Sequence, residues 1–183
     1  MPSNLPNILT FLRIGVLPIL VGLMYISYDW ARYLSIVLYS FACITDYLDG
    51  YFARRMKQVS PLGRLLDPIA DKLLVATVLM MLTALQIIEG WTVIAALIIL
   101  SREIFVSGLR EFLAELQVRL PVSRLAKWKT AVQMVSLGML LLAPLYPNYL
   151  LEAAIIGLWM AAGLTLITGY DYLIASVKQL RPK

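Results

Sequence analysis

The sequence has no histidine and only one cysteine, Cys43. A lone cysteine excludes an internal disulfide and a cysteine-based zinc cluster. Without histidine, acid–base chemistry near neutral pH must come from carboxylates, lysine, tyrosine or a metal-bound group. Charge is also scarce, because 15% of the 183 residues are charged and 61% are hydrophobic. This composition argues against a water-soluble globule and makes a polytopic membrane protein, with the bilayer as its solvent, the expected class.

Apolar segments recur along the whole chain and predict six membrane-spanning helices of about 20 residues each. They are expected near residues 8–27, 33–56, 65–88, 91–112, 125–146 and 149–176. The start of the chain has no basic region and no small-residue cleavage site, so we interpret it as the first membrane helix and not as a signal peptide. Residues 1–183 contain no long linker, and we expect one all-α integral membrane domain.

Lysine and arginine are concentrated on one side of this predicted topology. With a cytoplasmic N-terminus, the second-to-third connection, the fourth-to-fifth connection and the C-terminal tail carry most of them, and the opposite side has only Arg32. The positive-inside rule therefore places both termini in the cytoplasm. The net charge of +5 is explained by topology and by attraction to anionic membrane lipids, and gives no reason to expect nucleic acid.

The charged residues inside the predicted spans all lie toward the cytoplasmic ends. They include Arg13 in the first span, Asp46 in the second, Asp67 in the third and Arg102 in the fourth. Uncharged runs such as residues 73–88 fill the other half of the membrane. This distribution predicts a polar cavity that opens to the cytoplasmic side, and it argues against a pore that is polar from side to side.

Four aspartates are predicted to fall on two helix faces. At about 100° per residue, one face of the second span carries Asp46, Asp49, Gly50, Ala53 and Arg54. One face of the third span carries Gly63, Asp67 and Asp71, if that helix is continuous. Because a short connection joins the two spans, we expect antiparallel neighbours with the two faces at the same depth.

The start of the third helix has two interpretations. Ser60 before Pro61 is typical of a helix N-cap followed by proline, and Asp67 before Pro68 has the same pattern. In the first case Asp67 lies within the helix, and in the second case Asp67 caps it.

Aspartates inside a membrane need compensation, since one at the centre costs about 2.5 to 3.5 kcal/mol on insertion scales. An ion-pair network with Arg54, Arg64 and Lys72 is one solution. The other is a metal site, because convergent carboxylates without histidine or cysteine suit Mg²⁺ or Mn²⁺. Four carboxylates could hold two such ions. Such a pair of ions typically grips a phosphate or diphosphate.

The aspartates also carry a resemblance to a known family. The order Asp46-x2-Asp49-Gly50-x2-Ala53-Arg54-x8-Gly63-x3-Asp67-x3-Asp71 resembles, without a departure, the signature of the CDP-alcohol phosphatidyltransferase family. The segments "PNILTFLR", "SREIFVSGLRE" and "KWKT" are similar to its phosphatidylglycerophosphate synthase branch. The resemblance covers essentially the whole chain, more loosely after Thr130.

The resemblance implies a phosphatidyl transfer from CDP-diacylglycerol to sn-glycerol 3-phosphate, with release of CMP, by a homodimer in the inner membrane. Two ions of Mg²⁺ or Mn²⁺ would be held by Asp46, Asp49, Asp67 and Asp71, and Asp71 would also be the general base. The cytidine nucleotide would contact Gly50, Ala53, Arg54, Ser60 and Gly63. Glycine allows close approach, and the planar fork of arginine suits a phosphate.

A phosphate-bearing acceptor requires cations beyond those of the signature. The candidates are Arg110, Lys127, Lys129, Arg102 and Arg13, with Thr10 as a polar neighbour. Lys127 and Lys129 are explained equally well by topology and by contact with lipid head groups.

Several alternatives remain open at this point. The same chemistry could use inositol phosphate, serine or phosphatidylglycerol as the acceptor. An intramembrane prenyltransferase also combines aspartates with Mg²⁺, but the Asp-Gly-x2-Ala-Arg segment favours a nucleotide diphosphate. A divalent-cation transporter is disfavoured by charges confined to one half of the membrane.

Overall fold

The computed structural model describes the backbone of residues 5–56, 61–117 and 124–180, and side chains there except at 5–6, 47, 49–56, 61–62, 64–65, 124 and 180. Within these ranges the chain forms six α-helices and a short 3₁₀ helix at Ala143–Leu145. The α-helices are α1 Leu5–Tyr25, α2 Asp29–Met56, α3 Pro61–Ala84, α4 Thr92–Glu115, α5 Arg124–Leu142 and α6 Leu150–Leu180.

Six helices therefore lie where the sequence predicts them, and the all-α architecture is confirmed. Four stretches are long and apolar enough to cross a membrane, namely Asn7–Tyr25, Thr92–Glu115, Leu125–Leu145 and Leu150–Gln179. In their described parts, α2 and α3 do not meet this criterion, since charged residues such as Asp46 and Asp71 interrupt them. The structure thus supports an integral membrane protein with four apolar spans.

The first helix packs against both α2 and α3, and the described parts of α2 and α3 also contact each other. Asp46 of α2 lines the same cavity as Asp67 and Asp71 of α3, as expected of neighbouring helices whose aspartate faces lie at the same depth. Buried polar side chains of α1, Asn7, Thr10 and Arg13, are spaced three residues apart and share one face. On the other side of the bundle, α6 packs against α4 and α5.

The hydrophobic core lies between the helices in the half of the bundle away from the aspartates. Its fully buried members include Leu20 of α1, Leu82 of α3, Ile99 of α4, Leu140 of α5 and Leu158 of α6. Packing these side chains against one another removes their apolar surface from the surrounding solvent and stabilises the bundle.

Large apolar side chains also point outward, including on the two helices that carry the aspartates. Val37 and Ile44 of α2 are 59% and 57% exposed, and Met80 of α3 is 65% exposed. Large apolar side chains exposed to this extent on many helical positions are typical of contact with lipid or with another protein.

The turn between α3 and α4 lies in the segment "QIIEGW", where the third and fourth predicted spans meet. Gln86 has a φ of 56° and Gly90 a φ of 53°, both in the left-handed region. The backbone N–H of Ile87 donates to the carbonyl of Leu82 at 2.9 Å, which closes the end of α3.

Candidate active site

A polar cavity of about 420 Å³ lies at the end of the bundle that holds the α2–α3 and α4–α5 connections. Its described carboxylates are Asp46, Asp67, Asp71, Glu103 and Glu111. Its described basic residues are Lys72, Arg102 and Arg110. Helices α2, α3 and α4 thus bring opposite charges together at one end of the molecule, as the sequence predicts for Asp46, Asp67 and Asp71.

The continuous third helix places two of these aspartates on one face. Because α3 begins at Pro61, Asp67 and Pro68 both lie inside the helix. The interpretation that Asp67 is within the helix is confirmed, and the interpretation that it caps the helix is wrong. Asp67 and Asp71, four residues apart, both reach the cavity as helical geometry requires. Gly63, one turn earlier, is buried, whereas Ser60 lies outside the described residues.

Side chains of α1 donate hydrogen bonds to two of the cavity aspartates. Thr10 Oγ1 donates a hydrogen bond to Asp67 Oδ1 at 2.5 Å. Arg13 Nη1 donates to Asp46 Oδ1 at 2.6 Å, and the Arg13 side chain is completely buried. A charge-assisted bond of this kind fixes the carboxylate orientation. The contacts give Thr10 and Arg13 a positioning role, while their predicted role in binding an acceptor stays a prediction.

The fourth helix brings two of the predicted acceptor-binding arginines to the cavity. Arg102 Nη2 donates to Thr168 Oγ1 of α6 at 3.1 Å, and Arg102 Nη1 lies 3.9 Å from Glu103 Oε1. The Arg110 guanidinium carbon lies 5.8 Å from the ring centroid of Tyr172.

The two predicted lysines of α5 have different surroundings. Lys129 is buried and forms an ion pair with Glu103, which lines the cavity. Lys127 is exposed and is not among the described residues that line the cavity. Lys129 thus lies behind the cavity lining, through its contact with Glu103. The exposure of Lys127 fits the explanation that its charge serves membrane topology or contact with lipid head groups.

Four polar residues of the described cavity lining were not predicted as site residues: Lys72, Glu103, Ser107 and Glu111. Lys72 donates a hydrogen bond to Ser107, which links α3 to α4. Glu103, Ser107 and Arg110 recur at intervals of four and three residues, so one polar face in an otherwise apolar helix is the signal that indicates them.

The ion-pair alternative can be compared with these contacts. Among the described side chains, Asp46 is the only one of the three aspartates with a basic ion-pair partner, and that partner is Arg13. Lys72 contacts a hydroxyl group, and the side chains of Arg54 and Arg64 lie outside the described residues. The described basic residues therefore do not neutralise Asp67 and Asp71 by direct pairing.

The donor chemistry of the cavity fits a hard divalent cation. Asp46, Asp67 and Asp71 offer oxygen atoms, the ligands that Mg²⁺ and Mn²⁺ prefer. Within the described part of the chain, no three carboxylates or thiolates approach closely enough to bind one ion. The side chain of Asp49, the fourth predicted ligand, lies outside that part, as do those of Gly50, Ala53 and Arg54.

The fold and the cavity together define a helical membrane protein with a polar, charge-lined site at one end of its bundle. The sequence profile of the family "CDP-alcohol phosphatidyltransferase" matches residues 3–167. The chain therefore belongs to the CDP-alcohol phosphatidyltransferase family.

Its similarity to individual proteins extends over nearly the full length of both partners. A "CDP-diacylglycerol--glycerol-3-phosphate 3-phosphatidyltransferase" of Rickettsia bellii is 48% identical over 178 residues, which are 96% of this chain and 97% of that protein. A protein of the same description from Rickettsia typhi is 49% identical over 172 residues, 93% of this chain and 95% of its own.

The fold is also similar to that of a solved structure. The phosphatidylinositol phosphate synthase of Mycobacterium tuberculosis, crystallised with CDP-DAG bound, superposes with a TM-score of 0.68 at 19% identity. The match covers 95% of this chain and 87% of that one. At this identity the similarity concerns the fold alone.

Proposed function

We propose that this protein transfers the phosphatidyl group of CDP-diacylglycerol to sn-glycerol 3-phosphate, giving phosphatidylglycerophosphate and CMP. The observation that carries the proposal is the meeting of Asp46, Asp67 and Asp71 with Arg102 and Arg110 in one cavity. Carboxylates suit the metal ions that grip a diphosphate, and arginines suit the phosphate of the acceptor. The Rickettsia relatives are named for the same reaction, which supports the proposal.

A second cavity fits the amphipathic character of the proposed lipid substrate. An apolar groove of about 680 Å³ lies between α4 and α6, with Leu97, Ile98 and Leu166 in its walls. Arg102 lines both this groove and the polar cavity. A head group in the cavity and an apolar tail in the groove would therefore meet at one side chain, which favours a lipid diphosphate over a bare ion as the substrate.

The reaction requires no covalent enzyme intermediate. Asp71 takes the proton of the primary hydroxyl of glycerol 3-phosphate, and the oxygen attacks the β-phosphorus next to diacylglycerol. The bond from that phosphorus to the bridging oxygen breaks, and CMP leaves with the electron pair. Two ions of Mg²⁺ or Mn²⁺, held by Asp46, Asp49, Asp67 and Asp71, would supply charge neutralisation for the diphosphate.

The nucleotide pocket of the proposal uses the remaining residues of the signature. Arg54 and Ser60 would contact the cytidine nucleotide, and Gly50, Ala53 and Gly63 would leave space for it. Small residues permit close approach of a ligand to the helix backbone.

The membrane placement of the proposal follows from charge and exposed apolar surface. We infer six spans, with both termini and the cavity on the cytoplasmic side of the inner membrane. Outward apolar residues such as Val37 and Met80 support membrane contact by α2 and α3 despite their aspartates. A homodimer stays a prediction from the family resemblance.

The acceptor is tested by product analysis with the purified protein in detergent micelles that contain CDP-diacylglycerol. We expect sn-glycerol 3-phosphate to give CMP and phosphatidylglycerophosphate, because its dianionic phosphate matches the arginines of the cavity. Serine and phosphatidylglycerol carry no phosphomonoester and should therefore give much less CMP at equal concentration. Inositol phosphate carries one, so its direct comparison with glycerol 3-phosphate decides between these two acceptors. Faster turnover with any of these three would reassign the acceptor.

Arg110 and Lys127 form a matched pair that tests the acceptor pocket. The Arg110→Ala variant should raise the KM for glycerol 3-phosphate about tenfold or more, because it removes a charged donor from the cavity. The KM for CDP-diacylglycerol should change far less. The Lys127→Ala variant should resemble the wild type, since Lys127 is exposed outside the described cavity wall. Equal changes in both substrates' KM for Arg110→Ala would count against an acceptor-phosphate pocket.

A further inference from the structure

The sixth helix holds both arginines of the cavity although none of its residues is in the described cavity lining. Thr168 contacts Arg102, and Tyr172 contacts Arg110. Thr168 and Tyr172 are four residues apart, so they lie one turn apart on the same face of α6. One face of α6 thus contacts the guanidinium groups of both arginines.

Thr168 is arranged to accept a hydrogen bond from Arg102. Its hydroxyl group donates to the backbone carbonyl of Leu164 at 2.8 Å, so the oxygen can still accept from Arg102 Nη2 at 3.1 Å. The neighbouring Gly169 leaves room for the arginine stem, since an added Cβ there would lie 3.1 Å from Arg102 Cγ. Hydroxyl and glycine together fix the path of Arg102 along α6.

Tyr172 contacts Arg110 in a different way. The guanidinium lies over the aromatic ring, at 5.8 Å from Cζ to the centroid, and Arg110 has no ion pair among the described side chains. A cation–π contact holds the guanidinium beside the ring without neutralising its charge. Because no described side chain forms an ion pair with Arg110, its charge stays available to a phosphate in the cavity.

We propose that Thr168 and Tyr172 are positioning residues that orient Arg102 and Arg110 toward the phosphate of a phosphomonoester acceptor. The proposal rests on the proposed function, since it assigns the specificity of that site to a helix behind it. Preorganised donors lose less conformational freedom on binding, so the contacts from α6 strengthen the binding of the dianion.

The test compares variants that keep or remove each contact. Tyr172→Leu removes the ring, and Thr168→Val removes the acceptor oxygen. Each should raise the KM for glycerol 3-phosphate about twofold to tenfold. The kcat and the KM for CDP-diacylglycerol should stay near the wild-type values. The conservative variants Tyr172→Phe and Thr168→Ser retain the ring or the hydroxyl and should restore the wild-type KM.

Trp159 provides the matched control, because it is a partly exposed aromatic residue of the same helix in the other half of the bundle. The Trp159→Leu variant should leave the KM for glycerol 3-phosphate unchanged. The positioning role is overturned if Trp159→Leu raises this KM as much as Tyr172→Leu, or if Tyr172→Leu and Thr168→Val leave it unchanged. A wild-type protein that does not use glycerol 3-phosphate would instead overturn the proposed function.

Discussion

Replacing Asp71 with asparagine is expected to lower kcat about 100-fold to 10,000-fold, the range in which general acid–base catalysis contributes. Asparagine has nearly the same shape as aspartate but cannot take the proton of the acceptor hydroxyl. It is also a poorer ligand for a divalent cation, because it carries no charge. The measurement is the rate of CMP release at saturating CDP-diacylglycerol and glycerol 3-phosphate.

The surroundings of Asp71 favour it as the base over the other two described aspartates of the cavity. Asp46 accepts a hydrogen bond from Arg13, and Asp67 accepts one from Thr10. Asp71 has no hydrogen-bond donor among the described side chains, although it lines the same cavity. A carboxylate with no such donor keeps more of its capacity to accept a proton from the substrate.

A matched variant separates this role from a general loss of cavity charge. Glu111 also lines the cavity, and Glu111→Gln makes the same change from carboxylate to amide. We expect Glu111→Gln to retain most of the activity, and both variants to unfold near the wild-type temperature in detergent. Wild-type turnover in Asp71→Asn, or equal losses in the two variants, would remove Asp71 from the base role.

The helices and the convergence of the aspartates could be predicted from the sequence. The spacing of Asp67 and Asp71 determines a shared face on any continuous helix, and the structure contains that helix. Hydropathy alone does not decide whether α2 and α3 cross the membrane, because charged site residues reduce their mean hydropathy. The exposed apolar side chains of these helices, such as Ile44, become visible only in three dimensions.

The partners of the charged residues could not be predicted. A pattern along α1 indicates that Thr10 and Arg13 share a face, but it does not say which carboxylate each one meets. Tyr172 looks like one more aromatic residue at a membrane boundary, and Thr168 looks like a tolerated polar residue of an apolar helix. Their contacts with Arg110 and Arg102 depend on how α6 packs against α4, which is a tertiary property.

Removal of divalent cations should have an effect as large as the loss of Asp71. Among the three described aspartates of the cavity, only Asp46 has a described basic partner, Arg13, so the charge of the others must be balanced by another cation when a diphosphate binds. EDTA should therefore abolish turnover, and excess Mg²⁺ or Mn²⁺ should restore it. Excess Na⁺ at matched ionic strength is the control, because Na⁺ screens charge but does not replace a divalent cation bound by carboxylates.

Release of CMP by the purified protein, measured with and without EDTA and with and without glycerol 3-phosphate, tests metal-dependent phosphatidyl transfer most directly. We expect CMP and phosphatidylglycerophosphate in equal amounts only when the divalent cation and the acceptor are both present. CMP release that persists in EDTA would contradict the metal-assisted transfer. Transport of the divalent cation across a vesicle membrane without any CMP would contradict the assignment as a transferase.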